Sequence, residues 1–151
     1  MTRSDWVTIC DARLQANGTD NFSALELCDV GRIAKGVSLS APPLELLDNA
    51  LKLADVLSWV READGVAPIL VNSWYRDPDY NAVIGGVPHS MHLTLGAADI
   101  VKVGWKPADV ATLLEDSPYK ELLGVGRYNS FTHVDVRGMI GRPSPARWGT
   151  S

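Results

Sequence analysis

Apolar residues recur at helical spacing over one long stretch in the first half of the chain. Two apolar series run side by side there and form a wide stripe along one helix face, the pattern of a helix packed on a core. The residues of this stripe are Leu44, Leu46, Leu47, Ala50, Leu51, Leu53, Ala54, Leu57 and Val60. The pattern predicts the main core helix, which follows Pro42-Pro43, runs to about Ala63 and ends before Gly65.

Shorter elements are predicted on both sides of this helix. Ser23 and Glu26 have the spacing of a capping box, in which two side chains satisfy the free N–H groups of a helix start, so a short helix begins there. β-Branched and apolar runs predict strands, and a proline in the first turn favours a helix. The predicted elements are strands over 67–71, 97–103 and 131–137 and a helix over 107–115.

The pattern is lost between Trp74 and Leu95, where Asp77-Pro78, Gly85-Gly86 and Pro88 interrupt it. A long irregular segment inside a compact domain is usually functional. Helices come first along the chain and strands later, which favours an α+β fold with helices packed on a small, mostly antiparallel sheet. We expect residues 1–151 to form a single domain.

Composition narrows the class of protein. The 151 residues are 46% hydrophobic and 21% charged, as in compact domains, and 14 basic against 18 acidic residues give a net charge of −4. That balance offers no cationic surface for a phosphate backbone, so we expect no nucleic-acid partner, and we expect a monomer. No apolar run has the length of a signal peptide or a membrane span. Cys10 and Cys28 are interpreted as buried thiols, with a single bridge left open.

The three histidines carry the first chemical signal. His92 precedes a turn of small residues and then Asp99, so both could meet on one cation. Strand alternation over 131–137 places His133 and Asp135 on the same face. Two histidines and a carboxylate are the ligand set of a catalytic zinc site, which keeps one position open for water. Spacing alone leaves open the alternative of ordinary core or surface histidines.

Several further motifs occur in a fixed order with these residues. They are Val71-Asn72-Ser73-Trp74-Tyr75-Arg76, Tyr80-Asn81, Gly85-Gly86, Ser90-Met91-His92 through Ala98-Asp99, and Gly124-Val125-Gly126-Arg127-Tyr128 through His133-Val134-Asp135. From about Phe22 to Trp148 the chain resembles the zinc D-Ala-D-Ala carboxypeptidase-type peptidases, which share a fold with hedgehog signalling domains. The resemblance implies Zn²⁺ as cofactor, His92, Asp99 and His133 as its ligands, and stem peptides of bacterial peptidoglycan as substrate.

The sequence departs from that family's pattern in three places. Many relatives have glycine where Leu95 stands, and here the glycine is Gly96. Several relatives carry an acid three residues before the last ligand as general base, whereas this chain has Ser130. Others have a His-x-His pair, whose second position is Asp135 here. If His133 matched the first histidine of that pair, Asp135 would be the ligand; otherwise Asp135 is the candidate acid or supports His133.

Three other polar residues have two interpretations each. Arg76 resembles the family arginine that holds a carboxylate or an oxyanion, a task that suits the fixed fork of guanidinium donors. The alternative for Arg76 is a surface pair with Asp77 or Asp79. Ser90 either donates a hydrogen bond to a substrate carbonyl or caps the turn. His89 is interpreted as a loop residue, because a fourth protein ligand would close a catalytic site.

These observations predict a zinc metallopeptidase that hydrolyses peptide bonds of peptidoglycan. In a short chain without a signal peptide, this activity suits a phage endolysin, present in the host cytoplasm before release to the cell wall, or a virion component. The alternative is a catalytically inactive zinc-containing module that binds cell-wall peptide, which the absent acid at Ser130 keeps open. Five aromatic residues could line a groove for the ligand, although each alone is more typical of a core: Trp74, Tyr75, Trp105, Tyr128 and Trp148.

Overall fold

A computed structural model of the chain describes residues 1–28, 33–34, 36–38 and 40–149. Its helices are α1 (Arg3–Ala16), α2 (Ala24–Leu27), α3 (Leu47–Glu62), α4 (Pro78–Val83) and α5 (Pro107–Glu115). Its strands are β1 (Ile33–Ala34), β2 (Val37–Ser38), β3 (Ile69–Ser73), β4 (Ala97–Lys102), β5 (Gly124–Arg127), β6 (Thr132–Asp135) and β7 (Ala146–Gly149). Short 3₁₀ turns include Leu44–Leu46, Met91–Thr94 and Arg137–Ile140. The predicted α+β class is confirmed.

Five strands form the main sheet in the order β3-β4-β6-β5-β7, and all neighbours are antiparallel except β5 and β7, which are parallel. β1 and β2 pair separately as a small hairpin. Helices α3 and α5 pack on one face of the main sheet, and α1 packs on α3. The hydrophobic core lies between these helices and that sheet face, with Leu53, Leu57, Ile100 and Val134 fully buried.

The elements predicted from periodicity are present. The main core helix begins as the 3₁₀ turn Leu44–Leu46 and continues as α3. The capping box at α2 is formed, with Ser23 Oγ accepting from Glu26 N and Glu26 accepting from Ser23 N. α5 has the predicted bounds, and β3, β4 and β6 fall within or beside the predicted strands.

Two expectations need correction. The stretch 74–95 is not irregular throughout, because α4 begins where Asp77 accepts hydrogen bonds from the N–H groups of Asp79 and Tyr80 and Pro78 occupies the first turn. The sheet also has two strands, β5 and β7, that the sequence pattern did not predict. Cys10 and Cys28 are both buried, as interpreted. Burial raises the pKa of the Cys10 thiol to about 12, which makes it unreactive at neutral pH.

The second face of the main sheet carries the polar side chains. Strand alternation turns Ala98 and Ile100 toward the helices and Asp99 away from them. The 3₁₀ turn Met91–Thr94 lies over this second face. Among the described residues, the helices are too short or too polar to cross a bilayer.

Candidate metal centre

Sheet register brings Asp99 and His133 together. Asp99 of β4 lies directly opposite His133 of β6, and cross-strand partners have their Cβ atoms about 5 Å apart. His133 Nδ1 lies 3.1 Å from Asp99 Oδ1, and both side chains are nearly buried. Two residues that are 34 apart in sequence thus form one side of the site.

His92 reaches the same point from the 3₁₀ turn above the sheet. Its Nε2 lies 3.3 Å from Asp99 Oδ1, and its ring centroid is 5.2 Å from that of His133. Its Nδ1 donates a hydrogen bond to the Trp74 carbonyl oxygen at 2.7 Å. That bond keeps a proton on Nδ1 and orients the ring so that Nε2 is the nitrogen directed at Asp99.

The turn that carries His92 depends on its two ends. At the start, Ser90 Oγ accepts from His92 N at 3.2 Å, so the structure shows the turn-capping alternative for Ser90; a contact with substrate stays a prediction. At the end, Leu95 adopts the left-handed conformation with φ of 65°, which explains why glycine suits that position in relatives. The Leu95 carbonyl accepts from Trp74 Nε1 at 2.8 Å, and the side chain is fully buried. The displaced glycine therefore leaves the turn intact.

The donor set fits a metal ion. Two imidazole nitrogens and one carboxylate oxygen, from His92, Asp99 and His133, all lie within 4.8 Å of one another. Burial alone would raise the pKa of Asp99, but hydrogen bonds from His133 and His92 hold it well below its usual range. The carboxylate is therefore ionised and available as a ligand at neutral pH. Two histidines, a carboxylate and an open side toward a cleft match the arrangement of a catalytic zinc site.

Asp135 lies behind His133 rather than beside the ligand atoms. Its Oδ2 is 2.8 Å from His133 Nε2, while Arg137 donates to Oδ1 through Nε and to Oδ2 through Nη2, each at 2.8 Å. The side chain is fully buried. This geometry matches support of His133, one of the two predicted roles, and places Asp135 outside the ligand group, against the alternative in which Asp135 replaces His133 as ligand.

The charges around His133 change its proton affinity. Burial alone would lower its pKa, but hydrogen bonds with Asp135 and Asp99 raise it above the usual value. For Asp135, burial opposes ionisation, and the contacts with Arg137 and His133 overcome it and lower its pKa. Without a metal, the two carboxylates that contact the ring therefore favour the protonated form of His133.

Arg76 lies next to the predicted ligands. Its Nη2 is 3.7 Å from Asp99 Oδ2, and its backbone N donates to the His92 carbonyl oxygen at 3.1 Å. Its charge therefore faces the metal centre, in contrast to the surface-pair alternative with Asp77 or Asp79. Asp77 instead caps α4 and accepts from Ser40.

A cleft of about 710 Å³ opens over the site. His89 lies on its exposed wall and is not in the ligand group, as interpreted. The aromatic residues divide: Trp74 is buried in the core, whereas Tyr128 and Trp148 line the cleft, where the Trp148 ring centroid is 5.0 Å from that of His133. Ser130, at the position of the missing acid, is exposed.

Several supporting residues were missed by sequence reasoning. Arg137 had a signal, because alternation placed it on the face of His133 and Asp135. The two glycines of β5 belong to a motif of the family resemblance, but nothing local indicated their steric role: a Cβ at Gly124 would come within 2.5 Å of Asp135 Oδ2, and one at Gly126 within 2.6 Å of Trp148 Nε1. These glycines leave room for the side chains that surround His133.

Comparisons with known proteins agree with this geometry. The Peptidase M15 family model matches residues 20–135, and the chain belongs to that family. The chain is also 30% identical over 122 residues to the zinc D-Ala-D-Ala carboxypeptidase of Streptomyces albus G. The match covers 81% of this chain but 47% of that protein, so the chain spans about half the length of this relative.

Proposed function

We propose that this chain is a zinc metallopeptidase that hydrolyses peptide bonds of bacterial peptidoglycan, of the D-Ala-D-Ala carboxypeptidase or endopeptidase type. The observation that carries the proposal is the convergence of His92, Asp99 and His133 at the base of a cleft beside Arg76. Family membership and the similarity to the Streptomyces albus G carboxypeptidase support the same chemistry.

The residues divide the work by position. His92, Asp99 and His133 would hold the zinc ion, which when bound polarises a carbonyl group and activates water at neutral pH. The Arg76 guanidinium, partly buried beside Asp99, is placed to bind the terminal carboxylate or the oxygen that gains charge during attack. Asp135 and Trp74 act through the histidines: each accepts a hydrogen bond that fixes an imidazole ring.

Purified peptidoglycan tests the proposal directly. We expect the zinc-loaded protein to release fragments whose masses correspond to cleavage of stem peptides. EDTA should abolish their release, EDTA saturated with calcium should not, and added zinc should restore it. Cleavage only between sugars, or full activity after zinc removal, would contradict the proposal.

One observation favours a second candidate, a zinc-containing module that binds cell-wall peptide without cleaving it. Among the described residues that line the cleft, Asp99 is the acid, and as a metal ligand it is not free to accept a proton. Sedimentation of the protein with peptidoglycan, without fragment release, would favour this candidate. Action in phage-mediated lysis, from the host cytoplasm or the virion, stays a prediction that lysis assays on the source phage or bacterium would test.

A further inference from the structure

The cleft has an excess of positive charge beyond what the metal centre uses. Three arginines line it, Arg76, Arg137 and Arg142, whereas Asp99 is the acid among the described lining residues. Arg76 faces Asp99, and Arg137 is paired with the buried Asp135. A bound zinc ion would add further positive charge. Arg142 is therefore the arginine whose charge the site itself does not balance.

Arg142 is held over the cleft by neutral contacts. Its Nη1 donates to the His89 carbonyl oxygen at 3.3 Å and lies 3.1 Å from Met91 Sδ, next to the ligand His92. Its backbone N donates to the Arg137 carbonyl oxygen at 2.9 Å, which closes the 3₁₀ turn Arg137–Ile140 that follows the strand of His133. In the described part of the chain, its Nε and Nη2 make no hydrogen bond or ion pair, and the side chain is exposed where it lines the cleft.

We propose that Arg142 forms a second carboxylate subsite, which selects peptides with a free carboxylate on a residue other than the C-terminal one. The inference rests on the proposed function, in which Arg76 binds the terminal carboxylate or the oxygen of the reacting carbonyl. A guanidinium with two free donor nitrogens binds a carboxylate through two parallel hydrogen bonds, which an uncharged amide cannot match. The fixed stem of Arg142 lowers the cost of ordering that pair.

Binding of matched peptides tests this subsite separately from catalysis. The probes end in D-Ala-D-Ala and carry either glutamate or glutamine at the third, fourth or fifth position from the C terminus. Calorimetry with the zinc-loaded protein should show that the glutamate peptide binds more tightly in at least one pair, by about fivefold at low salt. A gain in affinity of about that size is typical of one exposed contact between two charged groups. The ratio should shrink as salt is added.

Variants locate the effect. Arg142→Gln should bring the ratio to about one while retaining zinc and the melting temperature, because Arg142 is exposed and its partners are a carbonyl and a sulfur. Arg142→Lys should retain part of the ratio. Arg13→Gln, a control on α1 outside the cleft, should leave it unchanged.

The outcomes separate the two proposals. If all peptides bind and are cleaved equally well, or if the ratio survives Arg142→Gln, the subsite is overturned while the peptidase proposal stands. Loss of zinc in Arg142→Gln would show that Arg142 stabilises the loop next to the metal centre, and this result would also overturn the subsite. A carboxylate preference that depends on Arg142 without any cleavage would support the subsite and favour the binding module. If the protein neither binds nor cleaves any of the peptides, both the subsite and the peptidase proposal are overturned.

Discussion

Strand β4 carries two buried charges of opposite sign, one on each face of the sheet. Asp99 faces the cleft, where its partners are the side chains of His92, His133 and Arg76. Lys102 faces the helices, fully buried, and its Nζ donates to the carbonyl oxygens of Val60 and Ala63 at the end of α3.

The two charges differ in what surrounds them. The partners of Lys102 are carbonyl oxygens at a helix C-terminus, which carry partial negative charge and do not titrate. The Lys102 ammonium therefore satisfies carbonyl groups that have no partner within the helix. The partners of Asp99 include imidazoles, which can release protons and offer lone pairs to a cation instead. A buried charge whose partners are backbone groups, such as Lys102, thus indicates a role in stability. A buried charge whose partners are titratable side chains at a cleft, such as Asp99, indicates a functional site.

Replacing Asp99 should have the largest effect. Asp99→Asn keeps the shape but removes the anionic ligand, so the zinc content measured by elemental analysis should fall from about one ion per chain to near zero. Release of peptidoglycan fragments should fall at least about a thousandfold. Ser73→Ala, at the neighbouring position on β3, serves as control and should retain both. Undiminished zinc in Asp99→Asn would refute the ligand assignment.

Removing the nearby cation should cost less. Arg76→Ala should fold and retain zinc, but turnover of peptidoglycan fragments should drop by about a hundredfold, because a well-placed charged donor contributes on the order of 3 kcal/mol to oxyanion stabilisation. Kinetics equal to wild type in the folded variant would show that Arg76 has no part in the reaction.

Lys102 should show the opposite combination. Lys102→Met leaves two helix-end carbonyls unpaired in the core, so the free energy of unfolding should fall by about 1–3 kcal/mol in urea titrations. The zinc content should be unchanged. The exposed Lys106 offers a matched control, Lys106→Met, for which we expect no loss of stability. Loss of zinc in Lys102→Met at temperatures where it stays folded would break the distinction between the two faces.

The elements that could be predicted from the sequence are those whose determinants lie close together along the chain. α3 and α5 were predictable because a wide apolar stripe and a first-turn proline are local signals. α1 buries only the narrow series Trp6, Cys10 and Leu14, and its pattern is too weak to indicate a helix. β5 contains two glycines, which are unfavourable in strands, and a Cβ at either one would collide with Asp135 or Trp148. Such requirements come from residues far away in sequence.

The site divides in a similar way. The three metal-binding candidates could be predicted from their spacing and from the family resemblance. The roles of Asp135 and Ser90 could not, because each depends on a side-chain direction that partners such as Arg137 and the His92 backbone set. Arg142 had no local signal, since its contact is with the backbone of His89, which is 53 residues earlier in the sequence.

Support of His133 by Asp135 should have a moderate effect. Asp135→Asn should weaken zinc affinity by roughly tenfold in a chelator competition assay, because the imidazole loses the carboxylate that orients it and raises its basicity. If Asp135 were the general base instead, the variant would retain zinc affinity and lose activity. Ser130→Ala, measured in parallel, should change neither, and retention of both affinity and rate in Asp135→Asn would leave Asp135 with neither role.

The smallest effect concerns the pH dependence of stability in the zinc-free protein. Because the folded pKa of His133 is raised above its ordinary 6.5, the folded state binds this proton more tightly than the unfolded chain. The resulting stability is fully present below about pH 6.5 and is lost as the pH rises through the folded pKa. The zinc-free melting temperature should therefore fall by a few degrees as the pH is raised from about 6 upward. His133→Gln should remove this slope, and His89→Gln, on the exposed cleft wall, should retain it.

Zinc reverses the sign of this pH dependence. Its binding requires His133 without that proton, so zinc stabilises the protein more at higher pH. Differential scanning calorimetry with and without zinc measures both slopes, and a zinc-free slope that is unchanged in His133→Gln would mean that the cationic pairing between Asp99 and Asp135 does not stabilise the fold.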